Sequence, residues 1–247
     1  MRQASRAVMV LLILSSGMLS LAQTQTSNTP PRRLLFIGNS LTYFQDGIYT
    51  HIQKMGEADT PRLSIQADKA VVGGQYFKTL FDRFPEPRQA IARGYDVVVL
   101  QEDLPETTVA DFREYARKFV GEIRKTGARP VFLMAWSYKR LGWISMDQIA
   151  QAHREAAKEL GVDVAPVGLA WERATKERPN LDLFIEDREH PSIYGTYLAI
   201  AVVYATVYGK NPSNIGYVPA GVSADVGVFL RRIAWDTAQE YKRQNPR

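Results

Sequence analysis

A serine, an aspartate and a histidine in this sequence have types and spacings that could support nucleophilic catalysis. Ser40 follows the apolar run 34–37 and a glycine, while Asp187 stands three residues before His190. A serine hydroxyl is a weak nucleophile at neutral pH, so it needs a base that takes its proton and an acceptor that holds the base in one tautomer. Asp187 and His190 meet that need, because residues three apart across one turn point to the same side and leave the second ring nitrogen facing outward.

Ordinary structural roles explain each of these residues as well. Ser40 could cap a helix after a tight strand-to-helix turn, and a histidine near an aspartate is common by chance. The order of the polar groups favours catalysis. A serine ends the first predicted strand, Gly73-Gly74 follows the second, Gln101 ends the third, and Asp187-x-x-His190 comes near the end.

The elements that must position these residues alternate between strands and helices. Strands are predicted at residues 34–37, 63–67, 95–101, 130–135 and about 162–167. The segments between them have helical periodicity, and no β-hairpin signal occurs. This alternation predicts an α/β fold, a three-layer α/β/α sandwich with a mainly parallel sheet of about five strands. Ligands bind at the carboxyl ends of such strands, which is where Ser40 and Gln101 fall.

Helical patterns complete this prediction. Helices are predicted over residues 46–58, in two pieces within 75–93, from about 108 to 127, and over 146–160, 191–208 and 223–241. Pro191 suits the first position of a helix, and Gly209 suits the position just past its end. His190 is therefore expected at a helix N-terminus.

The composition excludes several classes of function. The chain has no cysteine, and so neither disulfides nor a lipid-modified cysteine anchor. Its net charge of +5 is small and dispersed, whereas nucleic-acid binding calls for a clustered basic stripe. Three histidines give little support for a multi-histidine metal site, and we predict neither metal nor cofactor.

The first residues have the pattern of a secretory signal. Arg2 and Arg6 precede an apolar run, and small residues before Gln23 suit cleavage after Ala22. We predict a signal peptide at residues 1–22, a linker at 23–32 and one catalytic domain at 33–247, with the protein periplasmic or secreted. No membrane span is then expected after cleavage. An uncleaved anchor is the alternative, although the apolar run is short for a span.

Other polar groups have structural interpretations that outweigh catalytic ones. His51 and His153 fall on predicted helices, where a surface or packing role is favoured. Glu102 and Asp103 could form a carboxylate pair for acid–base chemistry, but adjacent residues at the end of a strand diverge. Solvation or capping is therefore favoured for both carboxylates.

Aromatic residues follow several predicted strand ends: Tyr43, Phe44, Tyr76, Trp136, Tyr138 and Trp143. Rings at these positions could stack on a sugar or line an acyl pocket, and core packing explains any single one at least as well. We take Tyr43, Tyr76 and Trp136, together with Asn39 beside the serine, as candidate substrate-binding residues.

Taken together, these motifs resemble the SGNH (GDSL-like) hydrolase family. The matching segments, in the family's order, are Gly38-Asn39-Ser40-Leu41-Thr42, Gly73-Gly74 and Asp187-Arg188-Glu189-His190-Pro191-Ser192. They span nearly the whole predicted mature chain, and the serine and histidine segments are specific in combination. The resemblance implies a flavodoxin-like fold and a serine hydrolase.

The resemblance also implies a role for each matching residue. Ser40 would be the nucleophile, His190 the general base and then the acid, and Asp187 the residue that orients it. The backbone N–H groups of Ser40 and Gly74 would contribute to the oxyanion hole. The family usually adds an asparagine side chain after the third strand, and here Gln101 stands there instead. Its amide can donate in the same way, as in some carbohydrate-esterase branches, so we assign it to the hole.

These inferences predict an exported serine esterase that forms an acyl-enzyme and releases a small acyl group, with acetyl favoured. The predicted partner is a small-molecule or carbohydrate ester, a substrate class that rests on the predicted export and on the resemblance. Two other classes stay open. One is an O-acyltransferase with the same triad, and the other is a catalytically inactive, carbohydrate-binding relative.

Overall fold

A computed structural model describes residues 29–138 and 140–246 of the protein. The predicted signal peptide at 1–22 and most of the predicted linker at 23–32 lie outside the described residues, so both assignments stay predictions. Within the described ranges, no helix is both long and apolar enough to cross a membrane.

The described residues contain one parallel sheet. Its strands are β1 Arg33–Gly38, β2 Gln66–Val71, β3 Val97–Gln101, β4 Arg129–Leu133 and β5 Asp163–Ala165. They lie in the order β2-β1-β3-β4-β5, and each neighbouring pair is parallel. β2 and β3 lie on opposite sides of β1, and in open α/β sheets ligands bind at the carboxyl ends of the strands at such a point. Ile37 pairs with Leu100 in this register, so the segments that follow the two strands are neighbours.

Helices cover both faces of the sheet. They are α1 Ser40–Tyr43, α2 Ile48–Glu57, α3 Phe77–Arg83, α4 Glu86–Ile91, α5 Val109–Lys125, α6 Met146–Leu160, α7 Val167–Glu177, α8 Ile193–Tyr208 and α9 Ala224–Gln244. Short 3₁₀ helices lie at Leu104–Glu106 and Pro212–Asn214.

Side chains of the sheet alternate between two apolar cores, one on each face. Leu34 and Phe36 belong to the core that includes α2, α7, α8 and α9, while Leu35 and Ile37 belong to the core that includes α3, α5 and α6. Helix α8 is apolar nearly all round because it lies between α2, α7 and α9. The arrangement confirms the predicted three-layer α/β/α sandwich.

The second strand and the segment after the fifth strand differ most from the predictions. The second strand is Gln66–Val71 rather than 63–67, since β2 is an edge strand with several exposed polar residues and lacks an apolar run. Helix α7 was not predicted, and it overlaps the end of the strand predicted at 162–167. The apolar residues at the start of α7 continue the apolar run of β5, which hides the boundary between them.

The segment before α8 also differs from the prediction. Pro191 is not the first helical residue, because it pairs with Phe184 in an isolated antiparallel bridge. Ser192 caps the helix instead, with its hydroxyl accepting from the backbone N–H of Gly195. His190 therefore lies in a turn that precedes the helix cap rather than at the helix N-terminus.

Candidate active site

A serine and an aspartate–histidine pair that are distant in sequence meet at the carboxyl edge of the sheet. Ser40 begins α1 directly after β1, and its Oγ lies 2.8 Å from Nε2 of His190. The other ring nitrogen, Nδ1, lies 2.7 Å from Oδ2 of Asp187. Because a carboxylate only accepts, Nδ1 carries the proton and Nε2 can accept from the serine hydroxyl. The geometry would let a proton pass from serine to histidine while the carboxylate stabilises the imidazolium.

A tight turn holds the Asp187 carboxylate beside Nδ1 of His190. Its Oδ1 accepts from the backbone N–H groups of Glu189 and His190, each at 2.9 Å. Burial acts to raise the pKa of Asp187, but these hydrogen bonds and the one from the imidazole outweigh it and hold the pKa below its usual value. The indole N–H of Trp136 donates to the carbonyl of Glu189 at 3.0 Å and supports the turn from the sheet side. The carboxylate is thus both ionised and fixed in place at neutral pH.

Asn39 ties the serine turn to the end of β3. Its Oδ1 caps α1 by accepting from the backbone N–H of Leu41 at 3.1 Å, and its Nδ2 donates to Asp103. Its backbone N–H donates to Oε1 of Gln101 at 2.9 Å. Both polar atoms of this buried side chain are therefore engaged within the protein, which indicates a role in placing Ser40.

Gln101 is held by one end of its amide. Its Oε1 accepts from the backbone of Asn39 and from Oγ1 of Thr42, both at 2.9 Å. Two donors on that atom settle which end of the amide is oxygen, so Nε2 faces the other way. Nε2 is buried and has no hydrogen-bond partner among the described residues. Such a donor needs an acceptor, and a bound ligand could supply one.

The glycine pair follows β2 beside the end of β1. The backbone N–H of Val72 donates to the carbonyl of Gly38 at 3.1 Å and joins the two strand ends. Gly74 has φ of 64°, a left-handed conformation that favours glycine. At Gly73 a Cβ would lie 2.7 Å from the hydroxyl of Tyr43, so glycine permits this close approach. The turn is exposed and lies on the same edge of the sheet as Ser40.

Glu102 and Asp103 were expected to be solvated or to act as caps; both are buried, so solvation is wrong for both, and capping applies to Glu102. Oε2 of Glu102 caps α3 by accepting from the backbone N–H of Phe77 at 2.9 Å. Asp103 accepts from Asn39 and from the hydroxyl of Tyr138. The loops that follow β2 and β4 cover the end of β3. The residue types at positions 102 and 103 do not predict this cover.

Burial raises the pKa of both carboxyls. The pKa of Glu102 rises to about 8, with the hydrogen bond from Phe77 opposing the shift, and that of Asp103 rises to about 6. A raised pKa in the folded state means that the folded protein binds the proton more tightly than the unfolded chain. For Glu102 this stabilisation is fully present below the unfolded pKa and is lost as the pH rises through about 8.

We expect Glu102→Gln to flatten the alkaline part of the stability profile. Glutamine stays neutral and can still accept from Phe77 through its oxygen. Urea unfolding at about pH 7 and about pH 9, above most of the Asp103 titration, isolates the effect of Glu102. The free energy of unfolding is expected to fall across this interval in the wild type and to fall less in the variant. Equal falls in the two proteins would contradict the assignment.

The candidate substrate-binding aromatics differ in their environments. Trp136 is buried and stacks on Trp171 with ring centroids 4.0 Å apart, so its face is used within the core. Tyr43 and Tyr76 are partly buried, and the backbone N–H of Tyr76 donates to the hydroxyl of Thr79 at the start of α3. Binding roles for these residues and for Asn39 stay proposals.

Phe44 was not among the predicted site residues. Its ring stacks on the imidazole of His190 with centroids 4.0 Å apart and an interplanar angle of 18°. The sequence placed it only among the aromatics that follow strand ends. Its position four residues after Ser40 was a signal that it lies near the nucleophile.

The other histidines pack in the interior. His51 is hydrogen-bonded to the hydroxyl of Tyr217 and to the carbonyl of Gln45. His153 bonds to the carbonyl of Ile149, and burial lowers its pKa to about 4. In the described part of the chain, no group of three or more metal-ligating side chains is arranged to hold a metal ion.

The sheet order and the serine at its carboxyl edge agree with one class of fold, the three-layer sandwich of SGNH hydrolases. Solved structures support this class. A protein from Slackia heliotrinireducens, described as a candidate SGNH hydrolase, is 25% identical with a TM-score of 0.60, over 71% of this chain and 98% of the other.

Two further neighbours are more distant in sequence. A DUF4886 family protein from Bacteroides uniformis is 18% identical with a TM-score of 0.67, over 84% of this chain and 95% of its own. A catalytic mutant of Axe2, an acetylxylan esterase from Geobacillus stearothermophilus, is 18% identical with a TM-score of 0.59, over 71% and 94% of the two chains. No family model matches the sequence, and no curated protein matches it. The neighbours confirm the predicted SGNH-like fold.

Proposed function

We propose that the protein is a serine esterase in which Ser40 is the nucleophile, His190 the base and Asp187 the residue that orients it. The observation that carries this proposal is the pair of contacts on one imidazole, 2.8 Å to the Ser40 hydroxyl and 2.7 Å to the Asp187 carboxylate. A nucleophile within reach of a base that is itself oriented by a third group is the arrangement that activates serine.

The reaction proceeds in two halves. Ser40 Oγ attacks the ester carbonyl carbon while Nε2 of His190 takes its proton, and the tetrahedral intermediate collapses as His190 returns that proton to the leaving alcohol. Water then attacks the acyl-serine, His190 takes a proton from the water, and the acid leaves as Ser40 regains its proton. The histidine thus acts as base and acid once in each half.

The oxyanion hole would consist of the backbone N–H groups of Ser40 and Gly74 and the side chain of Gln101. The support for Gln101 is its buried Nε2, which has no partner among the described residues, on an amide whose oxygen is held by two donors. Because the amide is already fixed, Nε2 needs little reorganisation to donate to the oxyanion as it forms.

Acetyl carbohydrate esters are the proposed substrates, and export through residues 1–22 is the proposed route to them. The resemblance of the fold to an acetylxylan esterase supports this substrate class. The pattern of basic, apolar and small residues at the N-terminus supports export.

Product analysis over a panel of esters tests the proposal. The purified protein is given p-nitrophenyl esters of increasing acyl length and an acetylated xylo-oligosaccharide, with and without a free sugar acceptor. We expect free acetate as the main product and kcat/KM to fall as the acyl chain lengthens. Dominant transfer to the sugar would point to an acyltransferase instead. Sugar binding without any turnover would point to a binding protein.

A further inference from the structure

The face of the His190 imidazole is covered by a residue outside the proposed triad. The phenyl ring of Phe44 lies nearly parallel to it, with centroids 4.0 Å apart and an interplanar angle of 18°. The hydrogen bond from Nδ1 to Asp187 fixes the position of one ring atom. The side chain can still turn about its Cα–Cβ and Cβ–Cγ bonds, which would tilt the ring and move Nε2 away from Ser40, so a contact on the face of the ring adds a restraint on its plane.

The segment 44–47, which we call the Phe44 loop, has an unusual backbone. Gln45, Asp46 and Gly47 have φ angles of 51°, 66° and 76°, and the first two carry a Cβ that disfavours this region. The loop is closed on both sides, since the backbone N–H of Phe44 donates to the carbonyl of Ser40 and that of Gly47 donates to the carbonyl of Phe44, each at 3.0 Å. The position of Phe44 is therefore set by its backbone.

A buried histidine holds this loop in place. Nε2 of His51 lies 2.7 Å from the carbonyl of Gln45, and Nδ1 lies 2.6 Å from the hydroxyl of Tyr217. A carbonyl only accepts, so Nε2 carries the proton and Nδ1 accepts from the tyrosine. Burial acts to lower the pKa of His51, in agreement with a neutral ring. The chain Tyr217, His51 and Gln45 thus connects α2 and the segment before α9 to the Phe44 loop.

We propose that Phe44 is a positioning residue for His190, because its ring keeps the imidazole in the plane in which Nε2 faces Ser40. The contacts of His51 with Gln45 and Tyr217 hold the Phe44 loop in position. The inference rests on the proposed function, since it assigns Phe44 a part in the work of the base. A misplacement of reacting groups by about 1 Å can lower a rate by about 10². The competing role for Phe44 is a wall of the acyl pocket, which would act on substrate binding.

Kinetics of matched variants separate these roles. Phe44→Leu is expected to lower kcat for p-nitrophenyl acetate by about 10- to 50-fold with KM nearly unchanged, and Phe44→Tyr is expected to keep most of the activity because the ring remains. Phe81→Leu removes another partly buried ring, which packs on Tyr115 and Phe119 away from the site, and serves as the control. A raised KM with unchanged kcat in Phe44→Leu, or no change in either, overturns the proposal.

The His51 contact is tested through Tyr217→Phe, which removes only the hydroxyl. We expect a smaller fall in kcat than in Phe44→Leu. The double variant of Phe44→Leu and Tyr217→Phe is expected to be no slower than Phe44→Leu alone, because the hydroxyl acts through the ring. Falls that multiply in the double variant would mean that Tyr217 acts by another route.

A spectroscopic readout keeps this inference separate from the proposed function. In proton NMR, the Nδ1–H of His190 that donates to Asp187 is expected far downfield in the wild type and in Phe44→Tyr. It is expected to broaden or vanish in Phe44→Leu as the ring gains freedom. A resonance unchanged in Phe44→Leu would overturn the positioning role even in a protein without esterase activity. Failure of the proposed function would show instead as absent turnover, with the resonance still sensitive to Phe44.

Discussion

Ser40→Ala and His190→Ala are each expected to lower kcat for ester hydrolysis by a factor of about 10⁴ to 10⁶. The serine supplies the atom that forms the acyl-enzyme, and the histidine takes the proton from that atom across 2.8 Å. Neither change leaves a large cavity or removes a buried apolar side chain. The fold is therefore expected to survive, with a melting temperature within several degrees of the wild type as checked by circular dichroism.

The double variant sharpens this prediction. Two residues that act as one unit are not additive, so the protein with both substitutions is expected to be about as active as either single variant. Steady-state kinetics with p-nitrophenyl acetate measures all three proteins. A His190→Ala variant that keeps a tenth or more of wild-type kcat, or losses that multiply in the double variant, would contradict the triad.

Gln101→Leu is the second change with a large expected effect, a fall in kcat of about 10² to 10³ with a small change in KM. Leucine removes the Nε2 donor, which has no partner among the described residues and would donate to the oxyanion. It also removes the acceptor for Asn39 and Thr42, at an expected cost of about 1–3 kcal/mol in stability. Thr42→Val serves as the control, since it removes one donor to Oε1 and leaves Nε2 in place. A similar kcat in these two variants would contradict a role of Nε2 in the oxyanion hole.

A substitution at Gly38 tests the role of Gln101 without changing the side chain of Gln101 itself. A Cβ at this position would lie 2.5 Å from Oε1 of Gln101 and 2.8 Å from Oγ1 of Thr42, so Gly38→Ala must push Gln101 aside. We expect kcat to fall in the same direction as in Gln101→Leu. Gly121→Ala is the matched control, because a Cβ there meets no atom within 4 Å and the residue lies in the interior of helix α5.

The parts of the fold that could be predicted from the sequence are those with a strong local pattern. The run Leu34 to Ile37 and the run Val97 to Leu100 are buried on both faces, and continuous apolar runs are typical of central parallel strands. β2 is an edge strand with several exposed polar residues, so the same rule missed its bounds. The other features of the fold depend on contacts between loops that are distant in the sequence, and no local sequence pattern predicts such contacts.

Some features of the site could likewise be predicted from the sequence, and others could not. The placement of Ser40 beside Gln101 follows from strand order, because parallel strands end at one edge of the sheet. Asp187 and His190 follow no strand, and the loop between α7 and α8 brings them to that edge. The burial of Glu102 depends on the later loops that cover it, and the stack of Phe44 on His190 joins two segments that are distant in the sequence. Neither could be inferred from residue types and spacing.

The assignment of Ser40 as the nucleophile is tested most directly by covalent labelling with a fluorophosphonate probe, followed by digestion and mass spectrometry. We expect one adduct in the wild type, on the peptide that contains Ser40, no adduct in Ser40→Ala, and much slower labelling in His190→Ala because the base is missing. An unlabelled wild-type protein, or a Ser40→Ala variant that is labelled as fast as the wild type, would contradict the assignment.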